Sequence, residues 1–590
     1  MYTLSPKARF SSSVGNGLFN SASLDLHFAK TKSLVDATTG SNLVDFTRAS
    51  SGTYVGSDGL IKTATTNLVT YSQDFDQWSA TNATVTPNAE LAPDGTTTAD
   101  QVTSTASDPW VQRSVTTASA GAYTFSVYIK AATGVSSNVV ALRVFDSDGT
   151  IYGSTSISVT TEWQRYQISV TTAKPVTIVR VDAPNFATIG DVFYLWGAQL
   201  EQSSTVGEYI PTTSTINSAP RFDHDPTTGE SLGLLVEESR TNLYVYSEDA
   251  SQWAYTNGSY YLDSAAIAPD GSAGAYVVYP TSNIPRINPG NISLVSGTRY
   301  TFSVFCKAKE FSTVGCFWNT TSIDPDVYGS TTFVNLNTGV SSDPSIVQTV
   351  GYPNGWWRLI INGALADANA TAHVTIVPGS TGNPNTIVPN GTDGIYAWGA
   401  QMEASASFPT SYIPTSGSGV ITPGYTSPAV TRAADVASIS GSNFSSWYRQ
   451  DEGTVFSDWS TPSSIELFPW IISDGTLNNS IRVSSSVAAI GSNTRLVVLD
   501  GNSLQAGLAV GVYTPSSRRK TAFAYKLNNF AGVADGGSIA TDTSGTIPTV
   551  DRLFIGSNWS GSDGFLCGHI RRLTHWPTRL GNEALQTITQ

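Results

Sequence analysis

Flat aromatic and carboxylate side chains are the groups with chemistry to offer here: the 590 residues include 14 tryptophans and 45 acidic side chains but only 5 histidines. Aromatic faces stack on the C–H surfaces of pyranose rings, while amides and carboxylates take the hydroxyls. Most tryptophans belong to a core, so a sorting rule is needed, and the chain contains one because it carries the same block twice. Thr66–Trp78 reads TNLVTYSQDFDQW and Thr241–Trp253 reads TNLYVYSEDASQW. APDG follows at 92–95 and 268–271, YTFSV at 123–127 and 300–304, WGAQ at 196–199 and 398–401, and YIPT at 209–212 and 412–415. A residue kept for packing recurs wherever the fold recurs. Trp78/Trp253, Trp163/Trp357 and Trp196/Trp398 therefore read as core. Trp110, opposite Arg286, Trp356, opposite Glu162, and Trp318 lack partners and read as surface platforms for a ligand. Trp559, in the loop Gly556–Gly564, is the fourth candidate.

Other chemistries find less support. The loops supply oxygen ligands of the kind calcium takes, and Asp94 and Asp270 in the APDG turns are the candidate metal residues. The competing reading, which we favour, is that each Asp-Gly pair only shapes its turn. In Asp223-His224-Asp225 neighbouring side chains on an extended strand point to opposite faces, so only the two aspartates could converge. No HExxH, CxxC pair or P-loop occurs, and no Gly-x-Ser-x-Gly elbow stands between a strand and a helix. A glycosidase needs two carboxylates across one cleft, which a count of acidic residues does not establish. The expectation is a protein without catalysis and with no required cofactor, Ca2+ being the one ion considered.

Only 13% of the residues are charged and the net charge is −14, with a pI near 4.8. The basic clusters, Arg518-Arg519-Lys520 and Arg571-Arg572, are too few to make a nucleic-acid groove. No apolar run approaches a membrane span, so neither nucleic acid nor membrane insertion is expected. Three cysteines cannot build a disulfide framework, and buried thiols from a reducing compartment are expected.

Short alternating runs punctuated by Gly, Asn, Asp and Pro predict an all-β protein of tandem jelly-roll β-sandwiches with very little helix. The organisation read from the chain is a leader, 1–65, then module 1, 66–216, and a linker, 217–240. Module 2, 241–416, follows, with a second linker, 417–437, and a third β-sandwich, 438–590. In the leader, SLDLHFA alternates as a strand and Asp58-Gly59 sits between apolar runs as a hairpin turn. The leader is short of core and is expected to dock elsewhere. The extra chain of module 2 is expected between residues 363 and 394, and the best helix is Leu580–Thr589.

Three stretches carry a resemblance. FTRASSGTYVGSDGLIKTA at 46–64 and APRFDHDPTTGESLGLLVEESRTNL at 219–243 resemble linkers of tailed-phage virion proteins, marine and cyanobacterial phages among them. The two halves usually adjoin; here module 1 stands between them as an insertion. The stretch from TNL through WGAQxE to YIPT resembles phage-borne jelly-roll modules of the carbohydrate-binding class. RLFIGSNWSGSDGFLCGHIRRLTHWPTRLGNEALQTI resembles the end of a concanavalin- or laminin-G-like sandwich. The resemblance implies a non-enzymatic tail or head fibre or spike protein, made in the host cytoplasm and displayed on the virion. Its implied partners are other virion proteins, host surface polysaccharide and further copies of itself, a trimer being favoured. A decoration protein with a structural role and a tailspike depolymerase are the alternatives.

Overall fold

In the computed structural model the described residues are 17–117, 119–153, 156–182, 188–323, 331–379, 389–416, 429–463, 467–486 and 493–590. Strand makes up 51% and helix 6%, in antiparallel sheets, the all-β class that the alternating runs predict. The chain forms two compact units. One is Met1–Phe46, Gly52–Thr63 and Pro220–Gln590; the other is Thr47–Ser51 and Ala64–Ala219.

Module 1 fills the second unit. A five-stranded sheet runs Gln164–Thr172, Gly121–Ala131, Val192–Glu201, Ala99–Ser104, Ala83–Glu90, and a six-stranded sheet is built on Val139–Asp146, Val176–Asp182 and Trp110–Ser114. Alternation on Gly121–Ala131 sends Tyr123, Phe125, Val127 and Ile129 into the core between the sheets. The ends of the module meet, Thr66–Asn67 pairing with Asn217–Ser218. Module 2 repeats this plan. Its counterpart sheet centres on Ile395–Ala404, Arg299–Ala308 and Trp356–Leu365.

The duplicated landmarks are a clamp. The Asn67 amide donates to the carbonyls of Ala198 and Ile210 at 2.9 and 2.8 Å. Its counterpart Asn242 donates to Ala400 and Ile413 at 3.2 and 2.9 Å. Gln199 and Gln401 accept from the backbone N–H of Ile210 and Ile413 at 2.8 and 2.7 Å. TNL, WGAQ and YIPT thus bind one another: the entry strand, the central strand and the strap after it close the module's end. The recurrence reflects buried polar groups that must find partners.

Module 2's face sheet gains a sixth, edge strand, Val347–Tyr352, paired with Trp356–Leu365. The expected insertion site between 363 and 394 is therefore corrected: much of the added chain lies before it, between Phe305 and its cross-strand partner Arg358, and builds Val340–Ser341 and this strand.

The third sandwich is not confined to 438–590. Its first sheet includes Arg221–His224 and Ser231–Val236 from the stretch read as a linker, paired onto Gly568–Trp576. The leader strand Leu24–Leu26 pairs with the same C-terminal strand, and Leu24, Leu26 and Phe28 lie in the same core. The leader's apolar strand thus finds its cover within its own chain, and residues 1–16 lie outside the described residues. Its hairpin forms as the Asp58-Gly59 turn predicts, Thr53–Val55 against Ile61–Thr63. The terminal helix is Asn582–Thr589. All three cysteines are free and buried, and burial pushes the Cys316 thiol up to about 12.

At the foot of the hairpin sits a buried charge cluster. Arg221 meets Glu237 at 2.8 Å and also pairs with Asp435; Arg432 lies 3.5 Å from Glu237. Arg221 also donates to the Thr53 carbonyl at 2.9 Å and to Ser411 Oγ at 2.7 Å. Burial alone raises a carboxyl pKa, but Arg432 and Arg221 outweigh it and hold Glu237 well below the usual range. A depressed carboxyl contributes stability at neutral pH that is lost as pH falls. Replacing Arg221 by Met leaves two buried carboxylates without their nearest cation, a loss of about 3–5 kcal/mol. Hydrogen exchange on the full chain should then show lost protection at Thr53–Val55 and Ser411, and unchanged protection at both would show that the cluster does not hold them.

Candidate functional site

The side of module 1's five-stranded sheet that faces away from the core carries a patch of rings. Between core residues, Gly121–Ala131 turns Ser126, Tyr128 and Lys130 outward. The next strand reaches the same face through a bulge. Pairing shifts between Ser126–Gln199 and Tyr128–Trp196, and Gly197 takes φ +63° there. A Cβ at Gly197 would press on Tyr128 at 3.1 Å and Tyr209 at 3.4 Å, so the glycine of WGAQ is required by both conformation and space. The bulge lets Trp196 lie outward while Ala198 and Leu200 enter the core.

Trp196 packs on Tyr128 and Tyr209 at 5.3 and 4.7 Å between centroids. Trp163 and Tyr194 flank Lys130, whose ammonium lies 5.9 and 5.5 Å from their rings and 3.4 Å from Glu90. The Arg165 guanidinium sits 5.6 Å over Tyr128 and donates to Ser126 Oγ at 3.0 Å. The Trp163 indole N–H is fixed on the Leu91 carbonyl at 2.8 Å. Trp196 is buried, but Tyr128, Trp163, Tyr194, Lys130, Arg165 and Glu90 stay half-buried. This is a rigid aromatic floor edged by charged hydrogen-bonding groups.

Module 2 has the same floor. Phe305, Trp356, Tyr396, Trp398 and Tyr412 replace Tyr128, Trp163, Tyr194, Trp196 and Tyr209. Trp398 lies 5.4 Å from Phe305 and 4.7 Å from Tyr412, Lys307 lies 5.6 Å from Tyr396, and Arg358 lies 5.6 Å from Phe305. The Trp356 N–H holds the Ile267 carbonyl at 2.9 Å, as Trp163 holds Leu91.

This register corrects the sorting of tryptophans. Tyr128 pairs across the sheet with Arg165, and Phe305 with Arg358, so Trp163 corresponds to Trp356 and not to Trp357. The Trp-x-Arg spacing shared by 163–165 and 356–358 was the signal in the sequence. Trp356 and Trp318, expected at the surface, are 1% and 0% exposed and cannot present a face to a ligand as they stand. Trp357 is the unpaired one, and its indole N–H donates to the carbonyl of Leu336, just after Thr332–Asn335, at 2.8 Å. Trp196 and Trp398 are buried, as their recurrence predicts. Trp110 is half-buried under the Arg180 guanidinium at 5.1 Å, and Trp559 is half-buried with an edge contact to Phe468 at 6.5 Å. The four tryptophans stand on separate elements and form no common site. Trp163, Tyr128 and Tyr194 share one face, and the sorting rule does not find them because it counts Trp163 as core and weighs tryptophans alone.

Asp94 and Asp270 each cap their own turn, Asp94 accepting from Thr96 N–H at 2.9 Å and Asp270 from Ser272 N–H at 2.9 Å. Asp223 and Asp225 do not converge: Asp223 accepts from Val55 N–H at 2.6 Å and meets His569 at 2.8 Å, while Asp225 caps Thr227 and Thr228. Among the described residues no three His, Cys, Asp or Glu side chains gather as a metal site. A cavity of about 180 Å³ lies beside the hairpin, lined by Asp223, Glu237, Tyr352, Arg358 and His569 among others. Both of its carboxylates are already engaged, Asp223 with His569 and Glu237 with Arg221.

The chain matches no family model, and no curated protein matches it. Among solved structures it is similar to the CBM40 of Ruminococcus gnavus IT-sialidase, at 16% identity over 24% of this chain and 83% of that one, with a TM-score of 0.21. It is similar to the CBM22-1–CBM22-2 tandem domain of Paenibacillus barcinonensis Xyn10C, at 12% identity over 57% of this chain and 98% of that one, with a TM-score of 0.20. It is also similar to TmCBM61 in complex with β-1,4-galactotriose, at 19% identity over 23% of this chain and 99% of that one, with a TM-score of 0.18.

Beside module 2's floor, the Tyr412 hydroxyl donates to Glu248 at 3.0 Å, and burial pushes this carboxyl up to about 7. Module 1 has Gln73 at this place. A carboxyl whose folded pKa is raised contributes stability that is full below its unfolded value and is lost as pH rises through the folded one. Glu248→Gln should therefore raise the melting temperature relative to wild type more at about pH 8 than at about pH 4. An equal difference at both would show that Glu248 is not desolvated.

Proposed function

We propose that the chain is a non-catalytic glycan-binding protein of a phage particle, with module 1's aromatic floor as its sugar platform. The observation that carries this is the half-exposed arrangement of Trp163, Tyr128 and Tyr194 around Lys130, Arg165 and Glu90. Flat rings, Trp163 held by its hydrogen bond to Leu91 and Tyr128 packed on Trp196, suit the C–H face of a pyranose, and the flanking charges suit its hydroxyls. Preorganised rings lose little freedom on binding. The tailed-phage reading rests on the linker stretches at 46–64 and 219–243, and a fibre or spike displayed to the host surface would put the platform where polysaccharide is. Several copies on one particle, a trimer among the arrangements considered, would raise avidity without new contacts.

The test is retention of the full chain in gels containing host-surface polysaccharide. Trp163→Ala should lower affinity about tenfold, the loss of one stacking ring, with the circular dichroism of the chain unchanged. Loss on changing Trp110 or Trp559 instead would move the site to those positions. No retention of the wild-type chain would favour a decoration protein, and release of oligosaccharides would favour a depolymerase.

A further inference from the structure

The duplication presents one floor twice, but the two copies differ in cover. In module 2 the hairpin Thr53–Thr63 lies on it. Ile61 is buried in one cluster with Phe305, Trp356, Trp398, Tyr412, Ala268 and Ala275. Its backbone N–H donates to the Pro269 carbonyl of the APDG turn at 3.0 Å. Thr53 Oγ donates to the Tyr412 carbonyl. Leu60 approaches the same turn so closely that a Cβ on Gly271 would stand 3.0 Å from it. At the equivalent glycine of module 1, Gly95, a Cβ would meet nothing within 4 Å. The rings record the same contrast. Trp356, Phe305 and Tyr412 are 1%, 0% and 4% exposed, whereas Trp163, Tyr128 and Tyr209 are half-buried.

The residues of the two floors have diverged in step with the cover. Tyr128 becomes Phe305, losing a hydroxyl, and Glu90, just before the carbonyl that holds Trp163, becomes Ala266. Losing one hydroxyl and one carboxylate suits contact with Ile61, although Tyr396 keeps its hydroxyl on Asp263 at 2.8 Å; keeping both suits a wet ligand. Module 1 also shows that the fold does not need the cover, since it builds the same floor without a hairpin in its cluster.

We infer that the hairpin Thr53–Thr63 is a built-in occupant of module 2's binding floor, so that the duplicated chain has one open sugar platform and not two. This rests on the glycan reading of the module 1 floor. Module 2's platform is converted into a joint that holds the hairpin, and it returns to a binding face only when Ile61 is withdrawn.

N-bromosuccinimide, which oxidises accessible indoles, tests the cover without any sugar. In the wild-type full chain, peptide mapping should show Trp356 oxidised at least about tenfold more slowly than Trp163, because a buried ring reacts only after local opening. Ile61→Asp puts a charge against the rings and should bring Trp356 to within a few-fold of Trp163; Ile61→Ser serves where the charged variant does not fold. Equal oxidation of the two tryptophans in the wild type would overturn the inference. So would continued protection of Trp356 in a variant whose hairpin amides exchange freely. Gels with host-surface polysaccharide then read the platform: Trp163→Ala should lose retention, and Trp163→Ala with Ile61→Asp should regain it. Failure to regain it with Trp356 accessible would show that module 2's floor is not a latent platform. If the wild type is not retained at all, the glycan reading fails, while the oxidation contrast still decides whether the hairpin covers the floor.

Discussion

Arg221 is the constraint on which one whole unit depends. Its guanidinium, fully buried, reaches the hairpin through the Thr53 carbonyl, module 2's strap through Ser411, and the third sandwich through Glu237 and Asp435. Two arginines face two carboxylates, so the buried charge balances; the Ser411 N–H donates to Glu237 Oε1, and the Glu237 N–H to the Asp435 oxygen that Arg221 also meets. A cluster of this kind is a weak source of net stability but a strong selector of geometry, because each alternative arrangement strands a buried charge. Here the geometry selected is the hairpin seated on module 2's rings. The residues concerned come from stretches far apart in sequence, around 53, 221, 237, 411 and 435. That spread is why segments which read as leader and linker prove to be parts of a sandwich that the rest of the chain interrupts.

The second constraint is local. A glycine bulge in each WGAQ strand changes which face the next side chains occupy, placing a tryptophan outside and the following apolar residues inside. Without Gly197 or Gly399 the alternation set by Phe193 and Leu195, or by Ile395 and Ala397, would run unbroken, and Ala198 and Leu200, or Ala400 and Met402, would leave the core of their module. The bulge thus lets one strand give a ring to the outer floor and, two residues on, apolar side chains to the core. Around the floors the clamp of Asn67 or Asn242 and Gln199 or Gln401 fixes the strap that brings Tyr209 or Tyr412 onto the floor. Packing and the outward floor are set by the same buried hydrogen bonds, so recurrence in both copies does not say which rings are covered: Trp163 is half-buried and its counterpart Trp356 is buried.

The duplication acts as an internal comparison. Where the copies agree, in the clamp, the bulge and the turn after Ala92 or Ala268, the physics of the jelly roll is at work. Where they differ, the surroundings differ: Phe305 and Ala266 lie where a hairpin arrives, Tyr128 and Glu90 where none does. Glu248 stands in for Gln73 beside the covered floor, at a burial that raises its carboxyl.

By itself the sequence determined what depends on neighbours along the chain. Period-two alternation placed the strands around 121–131, 164–172 and 192–201 and set the all-β class; Asp58-Gly59 placed the hairpin; the ordered landmarks established the two modules. Each is a short-range preference that the tertiary structure did not overrule. Only the folded chain decided what covers what. Pairing of Tyr128 with Arg165 and of Phe305 with Arg358 set the register that matches Trp163 to Trp356, and so reversed which tryptophan counts as unpaired. The burial of Trp356 follows from a hairpin almost 300 residues upstream, and that of Trp318 from its place in module 2's own core, contacts that no local pattern encodes. Burial is a property of the packed partner as much as of the residue. Two copies of nearly the same floor can therefore end as an open face and a closed joint.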